Sequence, residues 1–414
     1  MTFSKLQLSA KLTDVLDELG YTTPTPIQSK AIPHILDGKD IFGCAQTGTG
    51  KTAAFALPII QMLDAEKIPG TAATVKALIL APTRELALQI SENIDSYSKN
   101  TVLKHTVIFG GVSQYHQAKE VRNGVDILIA TPGRLLDLVQ QSIVKLSQVK
   151  YLVFDEADRM LDMGFIHDIK KIIAKLPFKR QTVFFSATAS KEIMTLSETI
   201  LRNPIKVEVS PVSSTTELVE QSVYYVSKDD KKLLLKHLIV GNAIEHALVF
   251  TRTKHGADKV VRELKRDGIA AMAIHGNKSQ NERVKALKQF KDKTISVLVA
   301  TDVASRGIDV EKLSHVINYD IPNEAESYVH RIGRTGRAGE NGIAMSFCAA
   351  DEMDFLRDIQ KLIKKTVDVI EDHPYAQTFA VAAPPKSIQQ QQRNHKAAYA
   401  RSRRNNNRSR AYSA

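Results

Sequence analysis

The sequence is poor in cysteine. It has two, Cys44 and Cys348, far apart and each in apolar surroundings. No disulfide framework or cysteine-based zinc site can be built from them, and both read as reduced core residues. Long hydrophobic runs are also missing: none approaches the ~18 residues of a membrane-spanning helix. The N-terminus spaces its apolar residues helically from Ser9 to Leu19 and lacks a signal-peptide core. A cytoplasmic location away from membranes, or a nuclear one in a eukaryote, is therefore expected. Aromatic residues make up 6% of the chain, with no tryptophan. They nowhere gather into an aromatic-rich surface motif.

Acidic residues are absent from one end. Lys386, Arg393, Lys396, Arg401, Arg403, Arg404, Arg408 and Arg410 are not balanced by a single Asp or Glu, so +8 of the net +12 lies in the last 29 positions. A tail of this kind usually meets a polyanion, most often nucleic acid. The helical and strand periodicity fades beyond about Asp372, and Ala382–Pro385, Gln389–Gln392 and Asn405–Asn407 are low-complexity tracts. Residues 380–414 are expected to be disordered and basic.

What remains is ordinary for a globular protein: 43% hydrophobic and 25% charged over 414 residues, enough for two or three domains. Short apolar runs alternate with helical patterns. Strands are predicted at Asp40–Cys44, Val75–Ala81, His105–Phe109, Val125–Ala130, Tyr151–Phe154 and Thr182–Phe185, with a helix over Arg84–Tyr97. Runs this apolar, separated by helices, imply a parallel sheet covered on both faces. The second half repeats the scheme: Ala247–Thr251 resembles Ala77–Ala81, and Ser296–Thr301 resembles Asp126–Thr131. Leu78 to Leu128 and Leu248 to Leu298 are the same 50 residues apart. Two copies of one α/β fold are expected. Asn203–Glu220, rich in Pro, Ser, Thr and Val, reads as a strand end plus linker.

Only the first copy has a phosphate loop, Ala45-Gln46-Thr47-Gly48-Thr49-Gly50-Lys51-Thr52, between the Asp40–Cys44 strand and an apolar helix start. A glycine-rich turn opening a helix aims backbone N–H groups and the helix dipole at one spot, which binds phosphate. Lys51 would reach the β- and γ-phosphates and the Thr52 hydroxyl would hold Mg²⁺. The strand Tyr151–Phe154 ends in Asp155-Glu156-Ala157-Asp158. Asp155 can hold Mg²⁺, partly through water, and Glu156 can orient and deprotonate the attacking water.

Asp-Glu-Ala-Asp after an apolar strand resembles the signature of DEAD-box ATP-dependent RNA helicases, and the resemblance covers roughly residues 1–370. Its other motifs follow in order: Phe3 with Gly20-Tyr21 and Pro24-Thr25-Pro26-Ile27-Gln28; Pro82-Thr83-Arg84-Glu85-Leu86; Gly110-Gly111; Thr131-Pro132-Gly133-Arg134; Ser186-Ala187-Thr188; Val249-Phe250-Thr251-Arg252; Gln280-Asn281-Glu282-Arg283; Thr301-Asp302 with Ser305-Arg306-Gly307-Ile308-Asp309; and His330-Arg331-Ile332-Gly333-Arg334-Thr335-Gly336-Arg337. The N-terminus and short core look most similar to the bacterial RhlE-type subgroup. Ala45 in place of the first loop glycine is normal in the family.

The resemblance implies two tandem RecA-like domains of the P-loop NTPase class, at 1–209 and 220–379, joined by a linker at 210–219. It implies that Gln28 reads adenine with Phe3 stacked on the base and Tyr21 beside it, and that Asp309 holds the ribose. Thr83, Arg84, Gly111, Thr131 and Arg134 sit at strand ends or in glycine turns, where hydroxyl, guanidinium and backbone N–H groups suit RNA phosphates. Residue types such as Thr131 also simply cap helices. By resemblance these residues contact the RNA backbone, as do Pro82, Gly133, Thr251, Arg252, Arg283 and Thr301. Arg334 and Arg337 are implied to be arginine fingers crossing to the γ-phosphate. Ser186, Thr188, Asp158 and His330 are implied to couple the domains. The expected function is RNA-stimulated ATP hydrolysis with Mg²⁺ and local, non-processive opening of short duplexes on single-stranded or duplex RNA. Backbone contact without base reading implies little sequence specificity, and the 2′-hydroxyl a preference for RNA. Ribosomal RNA in assembly and messenger RNA in decay are both family roles.

Overall fold

The computed structural model describes residues 2–45, 48–68, 70–209, 219–302, 313–336 and 342–377. Gln46, Thr47, Asp309, Arg337, nearly all of the expected linker and the 380–414 tail lie outside the described residues.

The first sheet contains β1 (Ile41–Cys44), β2 (Ala77–Leu80), β3 (His105–Ile108), β4 (Ile127–Ala130), β5 (Tyr151–Phe154), β6 (Gln181–Ser186) and β7 (Ile205–Glu208). The second contains β8 (Val219–Tyr225), β9 (Ala247–Phe250), β10 (Ala271–Ile274), β11 (Val297–Ala300), β12 (His315–Asn318), β13 (Gly342–Cys348) and β14 (Asp368–Val369). The strand orders are β3-β4-β2-β5-β6-β1-β7 and β10-β11-β9-β12-β13-β8-β14. Counted from each lobe's own first strand, the two orders are identical, and every pairing described is parallel. The equal leucine spacing has a physical origin. Leu78 faces Leu128 in the first sheet and Leu248 faces Leu298 in the second.

Doubly buried strands explain the unbroken apolar runs. In β2, Ala77 and Ile79 pack into one core, while Leu78 and Leu80 pack into the core on the other face. Helices Pro26–Leu36 and Lys51–Glu66 cover the first face, and helices Pro132–Gln140 and Ile166–Ile173 the second. The predicted strands end within two residues of those found, and the predicted helix over Arg84–Tyr97 has those bounds. Strand β7, inside the stretch read as a strand end plus linker, is an edge strand with polar outward residues, which weakens its apolar pattern. Val219, expected in the linker, opens β8.

Candidate active site and nucleic-acid interface

The phosphate loop leaves β1 through Ala45, whose N–H donates to Ser186 O (3.0 Å), so the loop is tied to the end of β6. Gly50 caps the helix Lys51–Glu66 with φ +90°, a conformation costly for any residue with a Cβ. A Cβ there would also lie 2.4 Å from Gln28 Nε2. Gln28 donates to Gly50 O (3.1 Å) and accepts from Thr25 N (2.9 Å), closing the capping box of helix Pro26–Leu36. Its amide thus supports the phosphate loop, and each amide atom keeps one further hydrogen-bonding position for a base edge.

Lys51 is buried, and its ammonium donates to Ala45 O at 2.9 Å while lying 3.9 Å from Asp155 Oδ1. That separation is too long for a hydrogen bond, and Asp155 Oδ1 is buried with no hydrogen-bond partner. Burial pushes the Asp155 carboxyl up to about 6, with Lys51 pulling it down and Glu156 adding to the rise. Desolvation outweighs the ammonium, so this carboxylate is incompletely balanced. A buried orphan acceptor costs about 1–3 kcal/mol, more when charged. A divalent cation would supply the missing charge, so Asp155, with Thr52 half-buried at the start of the neighbouring helix, fits a metal held mainly by water and phosphate oxygens. Among the described residues no cluster of three or more His, Cys, Asp or Glu is arranged to hold a metal.

Glu156 caps helix Ala157–Asp162 in the left-handed region, φ +56°, which costs about 1–2 kcal/mol for a residue with a Cβ. Strain of this kind concentrates at functional sites. Its Oε2 accepts from Arg159 Nη1 at 2.7 Å, and both side chains are buried. Asp158 takes a different part. Its Oδ2 accepts from the N–H groups of Ala187 and Thr188 (3.1 Å each), hanging the Ser186–Thr188 turn from the acidic loop. Ser186 Oγ accepts from Thr188 N (3.3 Å).

At the C-terminal ends of β2 and β4, a groove of ≈ 420 Å³ is lined by Thr83, Arg84, Thr131, Gly133 and Arg134, and also by Arg283 from the second lobe. Pro82 forms part of the same wall. Thr83 Oγ1 caps helix Arg84–Tyr97 by accepting from Leu86 N (3.3 Å), and Thr131 occupies the cap position of helix Pro132–Gln140. Arg134 is aimed by Gln117 Oε1 and Val112 O, both at 3.0 Å. Gly111 has φ +77°, and a Cβ there would lie 2.0 Å from Arg84 Nη2, so only glycine lets the guanidinium rest on that turn. Arg84 Nη1 donates to Gln280 Oε1 (3.2 Å), Gln280 Nε2 to Glu85 Oε1 (3.2 Å), and Arg283 Nη2 pairs with the same Glu85 oxygen (3.0 Å). The groove is bridged by side chains from both lobes.

On the second lobe, His330 and Arg334 follow one another on and after helix Ala325–Ile332. Arg334 is buried, and its Nε donates to His330 O at 3.3 Å. Burial, and then the charge of Arg159, push the His330 imidazole down to about 4. Its folded pKa thus lies below the ordinary ~6.5, so the stabilisation from the neutral ring is full above pH ~6.5 and lost as pH falls towards 4. His330→Gln should therefore flatten the fall in melting temperature between pH 7 and pH 5; an unchanged slope would show that the ring is solvated.

Residues 25–196 match the family model "DEAD/DEAH box helicase", and residues 230–339 match "Helicase conserved C-terminal domain". The chain is 42% identical over 378 residues to an ATP-dependent RNA helicase CshA of Listeria monocytogenes, covering 91% of this chain and 72% of that one. It is 43% identical over 379 residues to a CshA of Streptococcus pneumoniae, covering 92% and 71%. The chain belongs to the DEAD-box ATP-dependent RNA helicase family. Among solved structures it is similar to S. cerevisiae Dbp5 bound to RNA and ADP BeF3 (TM-score 0.78, 30% identity, 89% of this chain and 95% of that one). It is also similar to Mss116p bound to ssRNA and AMP-PNP (TM-score 0.81, 28% identity, 90% and 80%). The fold is two tandem RecA-like domains, each built on a seven-stranded parallel sheet.

Other residues of this helicase expected to contact nucleotide or RNA have the following surroundings. Phe3, expected to stack on adenine, is 5% exposed and packs in the first core; Tyr21 is exposed. Thr251, expected against RNA, is 0% exposed and donates to Thr253 O (3.2 Å). Arg252, also expected against RNA, gives Nη2 to Ile321 O (3.0 Å) and Glu352 Oε1 (2.7 Å). Glu352 is shared with buried Lys231 (2.7 Å), so the exposed Arg252 is tied from the surface to a buried ion pair. Thr301 is half-buried at the end of β11, its N–H donating to Ile274 O (3.4 Å). The neighbouring Asp302 holds Arg331 Nη2 at 2.7 Å. Gly48 has φ +84°, and Thr49 is half-buried beside it.

Sequence reasoning missed Arg159, Gln117, Glu85 and Gln280 as site residues. Arg159 was within reach of it, since a helix start puts i and i+3 on one face. The other three gain their roles from partners distant in the chain. The bridge they build predicts that Arg283→Ala lowers the mutual strengthening of ATP-analogue and RNA binding by about 5–30-fold, measured as RNA affinity with and without analogue. An equal loss in both states would mean a plain phosphate contact.

Proposed function

We propose that this helicase hydrolyses ATP in an RNA-stimulated manner and locally opens short RNA duplexes or remodels RNA–protein complexes, non-processively and with little sequence dependence. The observation that carries this reading is the continuity of the site. Lys51, Asp155 and Glu156 share one buried cluster, Asp158 hangs the Ser186–Thr188 turn from it, and the groove beyond is bridged by Arg84, Glu85, Gln280 and Arg283. Lys51, with Thr49 and Gly50 of the loop, would bind and orient the phosphates. Glu156 would take the proton of the attacking water. Mg²⁺, held by Thr52 and by Asp155 partly through water, would neutralise phosphate charge in the transition state. Arg334, and Arg337 with it, would stabilise the γ-phosphate from the second lobe. Lobes bounded near 1–209 and 220–379 would open and close about the 210–219 linker.

ATP and RNA each favour the closed state in this scheme, so each tightens binding of the other. The test is ATP hydrolysis without nucleic acid, with single-stranded RNA and with DNA of the same sequence. Strong stimulation by RNA alone supports the reading; equal stimulation by DNA overturns it. Placement in the RhlE-type subgroup remains part of the proposal, resting on the N-terminus and short core, while the relatives reported above carry the name CshA. A cytoplasmic location also belongs to it; among the described residues no helix is long and apolar enough to cross a membrane. The basic segment from Lys386 would act as a tether that raises the effective RNA concentration at the core. Deleting residues 386–414 should weaken RNA binding and flatten its salt dependence; an unchanged slope of log affinity against log salt would sink the tether.

A further inference from the structure

The phosphate loop and the RNA groove occupy the C-terminal ends of the strands in the first lobe. The opposite edge of that sheet carries a basic and aromatic patch that neither uses. Phe178, in the turn entering β6, is 81% exposed, and the guanidinium carbon of Arg202 lies 3.5 Å over its ring. The arrangement is built from below. Buried Asp40 accepts from Arg202 N and Thr182 N, both at 2.8 Å, clamping the chain before β7 to the start of β6. Gln181 Nε2 donates to Lys39 O (2.8 Å), which brings Lys39 to the same edge. Arg180 Nη1 donates to Pro177 O (2.8 Å) and shapes the turn, while its Nε is buried with no partner. Lys39 and Lys179 are exposed.

The patch carries more cations than its one underlying carboxylate, buried Asp40, can balance. Lys150, nearby on β5's leading edge, is paired with Glu66 at 2.6 Å. Lys39, Lys179, Arg180 and Arg202 form no ion pair within 4 Å among the described residues; Arg202 repels Arg180, and buried Asp40 attracts it. An exposed ring with a guanidinium over one face, flanked by the exposed cations Lys39 and Lys179, matches single-stranded nucleic acid. A base stacks on the exposed ring while phosphates meet the ammonium and guanidinium groups. A protein partner would need a wider apolar centre than one ring.

We propose that this edge is a second contact for single-stranded RNA, holding the strand that leaves the groove. The proposal rests on the RNA reading above. β6 is six residues long, so the two ends of the sheet are about 20 Å apart at ~3.3 Å per residue, and a flank of several nucleotides spans them. Holding the flank would keep the opened strand on the enzyme without adding base specificity, since every base has a stacking face.

The test uses the full chain and the double substitution Phe178→Ala/Arg202→Ala. Fluorescence anisotropy is read with an RNA just long enough to fill the groove and with one several times longer. The variant should bind the short RNA like the parent and the long RNA about tenfold more weakly, the loss expected for one stacked base. Equal binding of the long RNA by parent and variant overturns the proposal. Equal weakening on both lengths overturns it too, because the effect then reaches the groove. A parent that binds neither RNA fails the RNA reading itself, which the short oligonucleotide alone reveals.

Discussion

Glu156→Gln lowers RNA-stimulated ATP turnover by about 10²–10⁴-fold, the range for loss of a positioned general base. Glutamine keeps the shape and can still accept from Arg159, so nucleotide binding through Lys51 and the loop stays near the parent value. It cannot take a proton from water. The substitution has a second consequence that must be separated from the first. Glu156 and Arg159 form a buried pair at 2.7 Å, and removing one charge from such a pair costs up to about 3–5 kcal/mol. The melting temperature should therefore fall as well. Adding Arg159→Met removes the stranded cation and should restore much of the stability but none of the turnover. If turnover returned with stability, Glu156 would be a structural partner of Arg159 and not the base.

Arg334→Ala is expected to reduce turnover by about 10³–10⁵-fold, the effect of losing an arginine that reaches the transferred phosphate from another element. Arg334 is buried and positioned from its own lobe by the His330 carbonyl. ATP binding by the first lobe should accordingly persist, and the defect should appear in the turnover number more than in KM. Arg334→Lys keeps the charge but loses the planar fork and should recover only a small part. A variant that turns over normally but binds RNA weakly would reassign this residue to the groove.

Much of this site could be read from residues adjacent in the chain. A strand, a glycine turn and a helix start stand consecutively at 41–52, so the phosphate loop is complete within one stretch. Asp155 and Glu156 follow β5 directly. The apolar runs gave away most strands because strands buried on both faces cannot carry polar residues, and the matched leucine spacing announced the duplication. Motif position places Phe3, Thr251 and Arg252 in the family pattern, whereas their surroundings depend on what packs beside them. Phe3 is covered by the first core, Thr251 lies inside the second lobe, and Arg252 is drawn to Glu352, 100 residues on.

The order of residues alone therefore determined the chemistry available: which side chains can cradle a phosphate, hold a cation or take a proton, and that two sheets of one topology carry them. Only the tertiary structure decided the partners. Asp158 serves the Ser186–Thr188 turn instead of a metal because its oxygen meets two N–H groups 29 and 30 residues away. Glu85 joins the lobes because Gln280, 195 residues on, and Arg283 come to rest beside it. Asp155 keeps a bare oxygen because Lys51 stops at 3.9 Å. The physical reason is range: backbone turns and amphipathic patterns act over a few residues, whereas hydrogen bonds and desolvation depend on whichever groups the packed chain brings within a few ångströms.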